Sequence, residues 1–312
     1  MDAGTVTLED IRAARERIAP YVRRTPLHPL PGGPLLKLEN LQVTGSFKPR
    51  GAFNYVLAHR EACAAGIITA SSGNHGQAVA YVARTLGLRA VVVVPENVAA
   101  TKAEAITGYG AELIRRGRYS EERIALAREL SEGRGLHYVP PYDDRFIIAG
   151  QGTVGLEMAE QCPEMEVVVV PVSGGGLVSG VAAAVKLMNP QVKVFGAEPA
   201  GADRFARSRK AGHPITLEKA ETIADGLRVL TPGRLTWEVT ARHVDEFRSV
   251  TDDEIVAAMR RILLEGHLLS EPSGAAGVAC AVRAGLTGWR AIAVVSGGNV
   301  DLPVLRGILS SS

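Results

Sequence analysis

Apolar residues fall into two alternating kinds of segment. Residues 66–70, 90–94, 111–114, 136–139, 167–170, 192–197 and 291–295 are short, mostly unalternating apolar runs, several rich in valine and isoleucine. Such runs predict strands buried on both faces. Between them, residues 75–86, 121–130, 155–161, 177–187, 253–264 and 275–284 space their apolar positions as helices do, and Thr101 and Glu104 open another helix. Thr7-Leu8-Glu9-Asp10 has the form of a capping box, with Ile11, Ala14 and Ile18 following on one helical face. A short strand is expected at 35–38. Strand–helix alternation of this kind predicts an α/β fold of parallel sheets covered by helices. No repeat, low-complexity tract or flexible linker marks a domain boundary.

With 312 residues, 46% of them hydrophobic and 22% charged, the chain can bury a full core and suits roughly two domains. The 35 basic and 33 acidic residues leave a net charge of +2, which gives no footprint for nucleic acid or an anionic membrane surface. Residues 167–185 carry no charge, but Pro171 and the triplet Gly174-Gly175-Gly176 split them into strand, loop and helix, so no membrane span is expected. Cys63, Cys162 and Cys280 form no C-x-x-C pair and suggest neither a disulfide scaffold nor a thiolate metal site. The N-terminus has no apolar signal-peptide stretch, and a reducing cytoplasm is expected.

The candidate chemistry lies in four glycine-marked loops. Thr44-Gly45-Ser46-Phe47-Lys48-Pro49-Arg50-Gly51 fences a lysine with glycines and proline. A lone lysine is ordinarily a solvated surface charge; as a nucleophilic amine it must be desolvated in a pocket. Ser71-Ser72-Gly73-Asn74-His75 follows a predicted strand and opens a helix, where Asn74 or Ser72 could equally be an N-cap. Ser173-Gly174-Gly175-Gly176-Leu177 offers backbone N–H groups at a helix start, a natural seat for phosphate, with tight helix–sheet packing as the alternative. It is neither a G-x-G-x-x-G fingerprint nor a P-loop. Ser296-Gly297-Gly298-Asn299 follows the last predicted strand.

In this order, and with Arg24-Thr25-Pro26-Leu27, Leu38-Glu39-Asn40, Ala149-Gly150-Gln151-Gly152-Thr153, Ala224-Asp225-Gly226 and Glu271-Pro272-Ser273-Gly274, the sequence resembles the fold-type II pyridoxal-phosphate enzymes. Within them it is similar to the threonine/serine dehydratase and serine racemase family. The resemblance implies two parallel-sheet domains of the tryptophan synthase beta-like kind, with the cofactor in the cleft between them. Residues 1–54 with 145–312 would form the large domain and 55–144 the small one. It also implies that Lys48 carries pyridoxal 5'-phosphate through its amine and that Ser173, Gly174, Gly175, Gly176 and Leu177 hold the phosphate. Asn74 would contact the ring hydroxyl and Ser296 the ring nitrogen, with Phe47, Gly226 and Glu271 completing the cofactor site. Ser72 would face Lys48 across the cofactor. Ser71, Ser72, Asn74, His75 and Arg123 would bind an amino-acid substrate, although for Arg123 a solvated helix face fits as well.

The expected reaction is removal of the β-hydroxyl of threonine or serine to give a 2-oxo acid and ammonia. Amino-acid racemisation is the alternative, and a cysteine synthase-like β-replacement a third. Pro141-Tyr142-Asp143-Asp144, similar to the Pro-Phe-Asp-Asp of many dehydratases, favours the first. Metal-activated relatives have an acidic site after a Gly-x-Glu-Pro segment. Here Gly196-Ala197-Glu198-Pro199 and Ala202 fit, but Arg204 stands where a second carboxylate is expected, so no required metal is anticipated and Arg204 is expected to pair with Glu198. A homodimer is expected.

Overall fold

The computed structural model of the chain describes residues 6–71, 73–98, 100–117 and 120–310. In chain order the strands are β1 (Leu27–Pro29), β2 (Pro34–Leu38), β3 (Ile67–Ala70), β4 (Ala90–Val94), β5 (Glu112–Arg115), β6 (His137–Tyr138), β7 (Val167–Pro171), β8 (Lys193–Pro199), β9 (Glu246–Val250) and β10 (Gly288–Val295). The helices are α1 (Leu8–Ile18), α2 (Lys48–Ala58), α3 (Asn74–Leu86), α4 (Ala100–Thr107), α5 (Ser120–Arg134), α6 (Arg145–Gln161), α7 (Gly176–Met188), α8 (Arg204–Ala211), α9 (Arg234–His243), α10 (Asp252–Leu264), α11 (Pro272–Arg283) and α12 (Leu302–Ser310).

Two sheets result. One runs β1-β2-β10-β7-β8-β9 and the other β5-β4-β3-β6. Every pairing is parallel except β1 with β2. That edge hairpin departs from the all-parallel expectation because Gly32, at φ 59°, lets the chain reverse within a few residues. The valines of β4 and Val168–Val170 of β7 are fully buried, as their unalternating pattern requires. The capping box forms as read: Thr7 N–H donates to Asp10 Oδ2 at 2.8 Å, and Asp10 N–H to Thr7 Oγ1 at 3.2 Å. Among the described residues no helix is long and apolar enough to cross a membrane.

Helix α6 is the central strut, packed on α1, α2 and α7. Its glycines permit the approach: a Cβ at Gly150 would lie 2.6 Å from the α2 backbone at Gly51. The Ala149–Thr153 motif is thus partly a packing surface.

Beneath α2 lies a buried charge network. The Arg50 guanidinium donates to both oxygens of Glu39 at 2.8 Å and to both of Glu157 at 2.7 and 3.0 Å. Lys37 Nζ donates to Glu157 Oε2 at 2.6 Å and to the Thr25 carbonyl at 2.7 Å. Two cations face two carboxylates, and all four residues are buried. The pairing joins β2, the turn after it, α2 and α6. Removing one partner of such a network strands an uncompensated buried charge, which costs about 3–5 kcal/mol. Glu157→Gln is therefore expected to lower unfolding free energy by about that amount, whereas Glu246→Gln, at the more exposed Arg248 pair, should cost about 1 kcal/mol or less. Urea denaturation of both variants checks the contrast.

Candidate functional site

Three loops leave the carboxyl ends of parallel strands: Ser71 onward from β3, Ser173 onward after β7, and Ser296 onward from β10. Such strand ends are where open α/β sheets bind ligands. The Lys48 loop joins the third. Ser46 forms an isolated antiparallel bridge with Gly297, and Phe47 N–H donates to the Ser296 carbonyl at 3.2 Å.

Lys48 opens α2, with Pro49 in the first turn, where a missing N–H costs nothing. Its Nζ donates to the Pro141 carbonyl at 2.8 Å and lies 5.3 Å from the centroid of the Phe47 ring. Among the described residues no carboxylate pairs with it, and burial lowers its pKa to about 8. His75 is buried in the first turn of α3, with Nε2 3.2 Å from the Val139 carbonyl. Burial, and then the Lys48 charge, push its pKa down to about 3, so the imidazole is neutral and donates that hydrogen bond.

The glycine loop is held by its carbonyls. Arg204 Nη1 donates to the Ser173 carbonyl at 2.7 Å, and Thr236 Oγ1 to the Gly174 carbonyl at 2.7 Å. In a planar trans peptide the next N–H points opposite to the carbonyl. These anchors therefore turn the Gly174 and Gly175 N–H groups to the other side of the loop. Gly175 sits at φ 99°, and a Cβ there would lie 2.6 Å from the Phe205 ring and 2.7 Å from Thr236. Leu177 is buried in the first turn of α7, whose leading N–H groups have no intrahelical acceptor. The Ser173 hydroxyl is buried without a hydrogen-bond partner among the described residues.

A chain of amides and a carboxyl closes the opposite side. Asn299 Nδ2 donates to Asn74 Oδ1 at 2.7 Å, and Asn74 Nδ2 to Glu271 Oε1 at 2.6 Å. Burial, and secondarily Asp225, push the Glu271 pKa up to about 8, against the Asn74 hydrogen bond. The Ser296 hydroxyl is buried, and its approach to the Ser273 carbonyl is only 3.5 Å. Gly226 N–H donates to Ser273 Oγ at 2.9 Å. Ser71 Oγ accepts from Gly73 N–H at 3.3 Å. At the edge, Lys102 of α4 pairs with Asp225, and Thr101 Oγ1 donates to Asp301 Oδ1 at 2.7 Å.

Lys48, Phe47, Asn74 and Ser296 thus come together through these contacts, with Glu271 joined to Asn74. Ser72 lies outside the described residues. Arg123 is half-buried near the start of α5, engaged in contacts of its own. The Pro141–Asp144 motif serves several contacts at once. Pro141 takes the Lys48 amine, Tyr142 lies against Gly174 and Gly176, Asp143 caps α9, and Asp144 caps α6. Asn299 and Thr236 were not legible as site residues. Asn299 stood within a quoted motif; Thr236 has no local signal.

Comparison with known proteins follows the same lines. The chain is 40% identical to L-threonine ammonia-lyase of Thermotoga maritima, over 98% of this chain and 78% of that protein. It is also 40% identical to a catabolic L-threonine dehydratase of Staphylococcus aureus, over 98% of this chain and 93% of the other. Among solved structures, maize serine racemase superposes with a TM-score of 0.92 at 41% identity, covering 97% of each chain. The family model of the pyridoxal-phosphate dependent enzymes matches residues 18–297, a span that includes the amine, the glycine loop and the last strand's serine, and the chain belongs to that family.

Proposed function

We propose that the protein is a pyridoxal-phosphate-dependent ammonia-lyase that converts a β-hydroxy amino acid such as threonine or serine to a 2-oxo acid and ammonia. The observation that carries this reading is Lys48: a primary amine beside the Ser296 loop, bonded to the Pro141 carbonyl and, among the described residues, without a paired carboxylate. The residues fit the cofactor. The unpartnered Ser173 hydroxyl and the turned N–H groups of Gly174 and Gly175 suit a phosphate. When bound, pyridoxal phosphate supplies the electron sink that stabilises negative charge at the substrate α-carbon.

This chain's residues do the rest. Lys48 Nζ would hold the cofactor, and its free amine would take the α-proton of the substrate. That role needs a neutral amine, which burial favours. Asn74, held between Glu271 and Asn299, would contact the ring hydroxyl. Phe47, Leu177 and Gly226 shape the walls of the cofactor site. Ser296 would offer the ring nitrogen a neutral hydroxyl rather than a carboxylate, which would make a more moderate sink and favour prompt loss of the β-hydroxyl. Ser71, Ser72 and the first turn of α3 suit the substrate carboxylate, with Arg123 a further candidate. His75 is turned into the core against Val139, so its backbone N–H is the group available to substrate.

Racemisation is the second reading, favoured by the likeness to maize serine racemase. It needs a proton donor at the face opposite Lys48, the position assigned to Ser72. We place the small domain at residues 55–144, around the four-stranded sheet, and the large domain at 1–54 with 145–312. A homodimer in a reducing cytoplasm is the form proposed, consistent with three buried free cysteines; sedimentation measures the assembly.

Purified holoenzyme with each enantiomer of serine, threonine and threo-3-hydroxyaspartate is expected to release 2-oxo acid and ammonia in equal amounts from one of them. Enantiomer exchange with little oxo acid would move the protein to the racemases. Ser72→Ala should abolish any enantiomer exchange while leaving most elimination intact, as chiral chromatography beside an oxo-acid assay would show. Lys48 should be neutral above pH 8 and cationic below. Pyridoxal-phosphate uptake by the apoenzyme is then expected to accelerate as pH rises through about 8, rather than near the ordinary lysine value. In Lys48→Ala that step should vanish and turnover fall by about 10²–10⁴-fold. Stopped-flow absorbance across pH 6–10 reads both.

A further inference from the structure

Behind the glycine loop, the side chain of Arg204 is fully buried. Its Nη1 donates to the carbonyls of Ser173 at 2.7 Å and Val172 at 3.4 Å, and its Nη2 to Leu227 at 2.7 Å and to Ala202. These oxygens come from three separate segments: the loop after β7, the turn after β8 and the turn containing Gly226. Glu198, equally buried, stands 4.0 Å from Nη1. The pairing expected from the sequence forms as a long ion pair, without a direct hydrogen bond. The Glu198 oxygens instead accept the Phe205 and Ala206 N–H groups at 3.0 and 2.8 Å, at the start of α8.

A ring of carbonyl oxygens with one carboxylate nearby is the environment a hard cation seeks. Here a guanidinium already takes four of those carbonyls, and a second positive charge a few ångströms away would be repelled. The residues present therefore do not fit the divalent ion that activates some relatives.

We propose that Arg204 is the enzyme's internal cation, a positioning residue that fixes the phosphate-binding glycine loop in place of a divalent metal. The inference rests on assigning the glycine loop to the cofactor phosphate. The physical link is the Ser173 carbonyl. By holding it, the guanidinium orients the Ser173–Gly174 peptide and turns the Gly174 N–H away from the cage. A metal ligated by that oxygen set would perform the same task but would come and go with its concentration; Arg204 is permanent.

The test uses wild-type enzyme and Arg204→Asp, which removes the guanidinium and adds a carboxylate to the cage. Wild-type activity and pyridoxal-phosphate affinity should be unchanged by EDTA or by millimolar Mg²⁺, Mn²⁺ or Ca²⁺. Calorimetry should show no stoichiometric divalent binding. In EDTA, Arg204→Asp should lose affinity for the cofactor by about tenfold or more, the scale of one hydrogen bond to a charged group. Mg²⁺ or Ca²⁺ should restore it and raise the variant's melting temperature, which a merely structural loss would not do. Wild-type activity lost in EDTA and recovered with Mg²⁺ overturns the proposal. So does stoichiometric divalent binding to wild type, or a folded variant whose cofactor affinity ignores divalent ions. If the variant does not fold, the wild-type measurements alone decide. Failure of wild-type apoenzyme to take up pyridoxal phosphate at all would overturn the assignment of the loop, and this proposal with it.

Discussion

The Arg50 guanidinium, clamped between Glu39 and Glu157, ties together the segments that position the Lys48 amine. It stands two residues after Lys48 on α2, and its partners lie after β2 and on α6. A buried network of two cations and two carboxylates is poor as a simple source of stability, because desolvation offsets most of the attraction. Its value here is geometric. The carboxylates accept only when α2, α6 and the β2 edge are in register, so the start of α2 is fixed in position and direction. Lys48 can then sit against the Pro141 carbonyl with, among the described residues, no paired carboxylate, a placement an isolated helix would relax away from.

The same logic recurs at the other walls of the site. The glycine loop is arranged by gripping its carbonyls from behind, with Arg204 on Ser173 and Thr236 on Gly174, and its N–H groups are left on the opposite side. Asn74 is arranged by a donor on one side and an acceptor on the other, so its amide has only one orientation compatible with both neighbours. In each case the group is immobilised by hydrogen bonds from segments distant in the chain. The ionisable groups follow suit. Lys48, His75 and Glu271 are all displaced toward their neutral forms by burial.

Where the chain is locally consistent, its sequence predicted the fold closely. The valine run of β4 has the same bounds in both, and α3, α7, α10 and α11 agree to within a residue or so at most ends. Elsewhere tertiary contacts override local preference. Helix α2 carries Pro49 and Gly51 in its first turns, which weaken a helical pattern in sequence, yet it is mostly buried against its neighbours and forms. The first ten residues of α6 went unread because Gly150, Gly152 and Gly155 weaken a helical pattern while allowing close packing. Helix α9, with Asp143 at its start, and strand β9 were also missed. An aspartate ninety residues away in the chain leaves no local trace.

The sequence by itself determined the alternation of buried strands and helices, the family, and the order of the loops that carry the chemistry. Those are properties of residue type and local spacing, and they survive without knowledge of contacts. Only the tertiary structure decided which groups meet. It turned the His75 ring away to Val139, linked Asn299 to Asn74, and gave Arg204 four carbonyls rather than a hydrogen-bonded Glu198. Burial and hydrogen-bond direction depend on segments far apart in the chain, and one-dimensional spacing does not encode which of several acceptors a buried donor will find.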